Sequence, residues 1–486
     1  MSKTIFGTSD KSNFIVNMNE EQYSKVASGV LLSAFFLVPL FTIPPEVSKG
    51  ATFEMVAIGL LTAGFFAMIA ALIAVMKKFI DKKVLFPVCA FGAMVLWGFV
   101  SMFDSYDLKI GFYGFTGRGE GMLAIIFYLC FFLTALTIKR EKAVTTLING
   151  AVAVGLLNSL FALVQITTGK LTTFEKFTSR VDADLAVGLS QTPIFLAMVL
   201  TLSLAAAGIG FAASKSRGRS IFCLVSACIF SFVMIYTYSL VGICGIVLGV
   251  ITAFISVFVL KAKKIKLLSS AAIAASAALA VVLSVCGAIG NINTYKLYDG
   301  YSLWRLDSYC RLTSSGIDDK RVVDIFDTAD TYAFLNKKTS DIISEHKLTG
   351  TGPEQLVYPQ IYNTSGYSSM DISDVIMNNK GTFDKVYNEY LYTAATRGIP
   401  SLIALAALLL YLIVSGFRTL KKERTEAKFG PYMIMLCGVL IFFIGCSNIV
   451  FSPIFWTFAG LSAATFPKKA ESGNKGSKKK NKVKIK

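Results

Sequence analysis

Histidine is all but missing from this chain: His346 is the only one in 486 residues. The one regularly spaced acidic row, Asp324, Asp327 and Asp330, therefore has no imidazole beside it and reads as a solvated helix face rather than a metal site. His346 itself reads as an ordinary loop residue. Charge is scarce too, with Asp, Glu, Lys and Arg making up only 16% of the residues. Nine cysteines occur, and eight of them (Cys89, Cys130, Cys223, Cys228, Cys244, Cys286, Cys437 and Cys446) fall in apolar stretches, with Cys310 alone in a polar one. That distribution excludes a disulfide framework. The first 25 residues are polar, so no cleaved leader is expected.

What is abundant is apolar sequence. Hydrophobic residues account for 54% of the chain, mean hydropathy is +0.61, and the apolar residues arrive in blocks. A soluble globule is excluded and an integral membrane protein is expected. Windows long enough to cross about 30 Å of hydrocarbon fall at 26–41, 55–75, 85–102, 121–138, 143–166 and 192–213. Further windows fall at 221–236, 241–260, 267–289, 401–415, 431–449 and 454–466. The expectation is an all-α polytopic protein of about twelve transmembrane helices.

Basic residues orient those helices, because short cytoplasmic loops hold the positive excess. The runs KKFIDKK (77–83), KREK (139–142), SKSRGR (214–219), KAKKIK (261–266), RTLKKERTEAK (418–428) and the Lys-rich tail all fall on one side of the alternating count. A multi-pass cell-membrane protein with both termini cytoplasmic is expected. The net charge of +18 is then accounted for by topology signals and a tail near anionic lipid, without nucleic acid. Four regions follow: an N-terminal membrane domain of about nine helices (1–289), a large extracytoplasmic loop with amphipathic helices (290–399, its polar part ending near 395), C-terminal transmembrane helices (400–466) and a cytoplasmic tail (467–486).

Polar chemistry gathers on the expected outer side. Residues 318–349 read as a helix with a stop at Gly350, GTGPEQLVYPQ follows as a glycine turn, and 362–382 is a polar segment. FDKVYNEYLYTAATRGIP (383–400) reads as an interfacial helix capped by Thr382 or Asp384. Gly398 ends it, and Pro400 opens the next span. Gly350, Gly352 and Pro353 form either a plain turn or a backbone-amide concavity for an anion.

LTGTGPEQLVYPQ, followed about thirty residues later by DKVYNEYLYTAATRGIPSLIAL, resembles the signature of the O-antigen ligase and polymerase family, in which a G-x-G-P loop precedes an H-N-x-x-L helix. GRGEGMLAIIFYL (117–129) is similar to a G-R-x-E-G entrance to a helix in Gram-positive members. The resemblance implies a GT-C-like architecture and a glycosyltransferase without metal or other cofactor. Its implied partners are an undecaprenyl-pyrophosphate-linked glycan donor, a glycan acceptor and membrane lipid. Ligation and polymerisation use one donor type, so the resemblance does not separate them.

That chemistry calls for cationic donors on a pyrophosphate leaving group, and arginine forks suit phosphate best. The outward candidates are Arg118, Arg180, Arg305, Arg311 and Arg321. Arg321 sits where the family's loop arginine precedes an aromatic, and an ion pair with Asp318 or Asp324 is its plain alternative. Arg118 beside Glu120 reads as a substrate contact or as a local ion pair at a helix entrance. Gly350, Gly352, Asn388 and Glu389 complete the expected substrate contacts.

Two positions depart from the family pattern. Tyr387 stands where the family has histidine, and Ser239-Leu240 stands where it has serine-arginine. A phenol titrating near ~10 is a poor base. Asp384, three residues back on the expected helix, is then the expected proton acceptor, with Tyr387 orienting a sugar. The departures leave room for a non-catalytic relative that only binds lipid-linked glycan. A transporter or flippase is the other class, disfavoured by spans with almost no charge near their midpoints.

Overall fold

The computed structural model describes residues 17–42, 54–114, 118–168, 186–237, 239–262, 266, 329–357 and 385–466. Regular structure among the described residues is helical throughout. The helices are α1 (Glu20–Leu40), α2 (Glu54–Met76), α3 (Leu85–Ser101), α4 (Leu108–Tyr113), α5 (Met122–Leu136) and α6 (Glu141–Thr168). They continue with α7 (Pro193–Ala213), α8 (Arg217–Ile235), α9 (Leu240–Val259), α10 (Ala329–Glu345), α11 (Glu389–Lys422), α12 (Glu426–Ile441) and α13 (Phe451–Ala463).

Every expected window falls on one of these helices except 267–289, which lies outside the described residues. Among the described residues eight helices are long and apolar enough to cross a membrane: α1, α2, α3 with its flanking turns, α6, α7, α8, α9 and α11. The described residues are all-helical, and their long apolar helices are those of a membrane-embedded protein. Helix α5 is apolar but has only 15 residues. Helices α12 and α13 have 16 and 13, about 24 and 20 Å at 1.5 Å per residue. The expected window at 431–449 is not one span, because α12 stops at Ile441 and irregular backbone follows to Val450. Most of that stretch is buried in protein, Phe443 being exposed, and burial is the condition under which such a break is tolerated at membrane depth.

Helix α7 is the centre of the bundle. It carries no charge, only its final residue is not fully buried, and α6, α8, α9 and α12 pack around it. An all-round apolar helix belongs in such a place. The segment entering it, 186–192, is also buried, and two amide side chains on α6 satisfy its backbone. Gln165 Oε1 accepts from the Val187 and Gly188 amides at 3.0 and 2.7 Å, and Asn158 Oδ1 accepts from the Leu189 amide at 3.1 Å. Near the other end of α7, Arg219 forks onto Glu426 and donates through Nε to Asn149 Oδ1 at 2.9 Å, tying α8, α12 and α6 together.

Helix α11 is two helices in line. Gly398 has φ 75° and ψ 168°, a conformation open to glycine, and divides a short entry segment (389–397) from the apolar span that packs on α3. The expected break at Gly398 is therefore present. The expected cap is not: the helix begins at Glu389, and Asn388 is its N-cap, with Oδ1 accepting from the Tyr390 and Leu391 amides at 3.1 Å each. Tyr387 lies in the bend before the helix, so no helix face brings it one turn from Asp384. Thr382 and Asp384 are outside the described residues.

Candidate functional site

Three stretches remote in sequence meet at the entry segment of α11. The first, residues 346–353, is strapped along that segment. Thr351 and Gly352 donate their amides to the Ala395 and Thr396 carbonyls at 2.9 Å each, and Ile399 donates to the Lys347 carbonyl at 2.8 Å. Gly350 (φ 69°) donates to His346 and Gly352 has φ 94°. The amides of Gly350, Thr351 and Gly352 are thus all spent within the chain. The glycines build a strap, the turn of the two alternatives rather than an anion concavity.

The second stretch is the turn before α5, which carries Arg118 and Glu120, and the third is 385–397. Together they enclose a group of buried charges. Lys385 has a wholly buried side chain, and its Nζ reaches Glu120 Oε2 at 2.8 Å, Glu354 Oε1 at 2.6 Å and the Tyr392 hydroxyl at 3.2 Å. Tyr128 donates to Glu120 Oε1 at 2.7 Å, and Tyr392 donates to Glu354 Oε1 at 2.6 Å. Glu354 holds φ at 59°, which is unusual for a side chain of this size. Strain of this kind costs on the order of 1–3 kcal/mol and persists only where surroundings impose it, as the bonds from Lys385 and Tyr392 do.

A second charged pair lies on α11. Arg397 donates through Nη2 to Glu389 Oε1 at 3.3 Å and to the Thr393 hydroxyl at 2.8 Å. The other oxygen of Glu389 accepts the Ser447 amide at 2.7 Å, and the Glu389 amide donates to the Phe442 and Gly445 carbonyls. The irregular backbone after α12 is therefore a socket for the start of α11.

Between the two groups is a small cavity. Glu120, Tyr128, Glu389, Tyr392 and Arg397 form its polar wall, and Met94, Ile125, Leu405 and Trp456 form much of its apolar one. Burial pushes the Glu120 carboxyl above its ordinary 4.5, Lys385 pulls it back, and Glu354 adds to the rise. For Lys385 burial acts downward, but Glu120 and Glu354 outweigh it and hold the ammonium well above its ordinary 10.5. It remains charged at any physiological pH.

Of the residues expected from sequence, Glu120 and Glu389 share this cavity. Glu120 makes its ion pair with Lys385, 265 positions away, not with its neighbour Arg118. Arg118 is buried, its guanidinium 5.3 Å from the centre of the Phe195 ring. Tyr387 is buried in the bend, Asn388 is a cap, and Ser239 caps α9 by accepting the Gly242 amide at 2.9 Å. Arg180, Arg305, Arg311, Arg321 and Asp384 lie outside the described residues. Sequence reasoning passed over Lys385, Glu354, Tyr128, Tyr392 and Arg397 as site residues. Lys385, Glu354 and Arg397 each stand inside a motif already singled out, and that was the available signal. The chain matches no protein-family model and no curated protein with which it was compared.

Proposed function

We propose that the protein is a GT-C-like glycosyltransferase that takes glycan from an undecaprenyl-pyrophosphate carrier and joins it to an acceptor sugar at the outer face of the cytoplasmic membrane, by ligation or polymerisation. One observation carries the reading. The stretches GRGEG, GTGPE and DKVYNEY, on which the family resemblance rests, meet through Lys385, Glu120 and Glu354 around a single cavity. Nothing in a packed membrane bundle requires three polar motifs so far apart in sequence to gather their charges in one place. Burying them costs several kcal/mol per ion before pairing, and such costs are concentrated at functional sites.

The cavity lies beside the kink of α11, where the polar entry segment joins the apolar span. A lipid carrier keeps its tail in hydrocarbon and its pyrophosphate at the surface, so this junction suits it. No charged residue occurs within the spans Ile58–Met76, Pro193–Ala213 and Leu240–Val259, which offers an ion-coupled carrier no site in them.

Cells depleted of the protein should accumulate undecaprenyl-pyrophosphate-linked glycan and lose the joined product, measured by lipid extraction and mass spectrometry. Unchanged lipid-linked glycan on depletion would count against the reading. The outward orientation has its own test. Cys310, in the 290–395 loop, should react with a membrane-impermeant thiol reagent in intact cells, and a cysteine introduced near position 475 should react only after lysis. The reverse pattern would place the cavity on the cytoplasmic side.

A further inference from the structure

We infer that the cavity seats the attacking hydroxyl of the acceptor and that Glu120 takes its proton, an inference that rests on the transferase reading above. Size is the first argument. The cavity has room for about one water-sized group, which admits a hydroxyl and not a diphosphate. Charge is the second. Among the lining residues Glu120 and Glu389 are acidic and Arg397 is basic, so two negative groups face one positive one. A further anion is opposed there, whereas a neutral hydroxyl can point its hydrogen at a carboxylate and accept from the guanidinium.

Arg397 is placed for that second contact. It is only 5% exposed and lines the cavity. Both of its hydrogen bonds leave from Nη2, and Nε and Nη1 make none among the described residues. A buried guanidinium with unused donors at a cavity wall is completed by an oxygen atom.

Two carboxylates could take the proton, and their partners separate them. Glu389 is held by the Ser447 amide, Thr393 and Arg397. Glu120 accepts one bond on each oxygen, from Tyr128 and from Lys385, which leaves a lone pair on each. Burial and Glu354 raise its proton affinity toward the working range of a base. Lys385, Glu354 and Tyr128 face Glu120 directly, and Tyr392, Glu389 and Arg397 share the cavity wall with Tyr128.

The step balances. As the acceptor oxygen bonds to the anomeric carbon, its hydrogen moves to Glu120. The bond from that carbon to the pyrophosphate oxygen breaks, and its electron pair leaves on the pyrophosphate. Glu120 then releases the proton to water. In this account Glu120 takes the role that the sequence reading gave to Asp384.

The test uses the full chain purified in nanodiscs with an undecaprenyl-pyrophosphate-linked glycan and an acceptor glycan. Glu120→Gln should lower kcat by about 100-fold or more, leave the donor KM unchanged and remove the acidic limb of the pH profile. Glu120→Asp should keep part of the rate. Folding is controlled by melting temperature, which should hold because Glu120→Gln leaves Lys385 and Glu354 matched one to one. Wild-type turnover and an unaltered pH profile in Glu120→Gln would overturn this inference alone, as would loss of the acidic limb in Glu389→Gln instead. Absence of turnover in the wild type would overturn the transferase reading and this inference with it.

Discussion

Replacing Lys385 with methionine is expected to destabilise the protein by about 3–5 kcal/mol at neutral pH, the usual consequence of removing one partner from a buried ion pair. The side chains of Lys385, Glu120 and Glu354 are 0%, 4% and 1% exposed. Without the ammonium two buried carboxylates remain with their shared cation gone. Each can escape by binding a proton, so the defect should shrink as pH falls. Lys385→Met/Glu120→Gln/Glu354→Gln removes all three charges and should recover most of the loss. Thermal melting in nanodiscs reads both effects, and an unchanged melting temperature in Lys385→Met would refute the network.

The wild type should show the related pH dependence. Glu120 binds its proton more tightly folded than unfolded. Its contribution is complete below about 4.5, the ordinary value, and is lost as pH rises through the raised one. Melting temperature should decline over that window in the wild type and not in Glu120→Gln.

Gly398→Ala should be as damaging for a different reason. The residue sits at φ 75°, and a Cβ there would lie 1.9 Å from the Leu348 carbonyl oxygen and 2.5 Å from its carbon. Those atoms are backbone and cannot swing aside. Making room would break the Ile399 bond to Lys347 and the bond from Trp97 Nε1 to Leu348 at 2.8 Å. Left-handed strain plus two lost hydrogen bonds amounts to roughly 3 kcal/mol or more. Gly92, with nothing within 4 Å of an added Cβ, is the control, and Gly92→Ala on α3 should be neutral or mildly stabilising. A Gly398→Ala protein that melts like wild type would mean that the strap does not fix the kink.

The helical membrane fold was legible because apolar blocks can be read directly, and the break at Gly398 because Gly and Pro stand two residues apart where polar sequence turns apolar. The short helices were not legible. Residues 431–449 are apolar enough for one span, and only the tertiary demand of Glu389 for the Phe442 and Gly445 carbonyls shows why the helix stops. The cap was misread because Asp384 and Asn388 are both good caps, and sequence alone did not choose between them.

At the site, Glu120 and Glu389 could be chosen because charges beside apolar blocks stand out. Their partners could not be. Lys385 meets Glu120 across 265 positions, a contact that no local spacing encodes. The glycines of the GTGP turn were singled out correctly as backbone features, but the Gly350 amide donates to His346 and the Gly352 amide to Thr396 rather than to a ligand.

The most direct test is release of undecaprenyl pyrophosphate from a defined lipid-linked glycan by the purified full chain, followed with and without acceptor in wild type and Arg397→Ala. The account predicts acceptor-dependent release with the glycan joined to the acceptor, falling by about 100-fold or more per folded molecule in Arg397→Ala, with the folded fraction read by melting temperature because the buried Glu389 loses its cation in that variant. No acceptor-dependent release by folded wild type, or full release by Arg397→Ala, would contradict it.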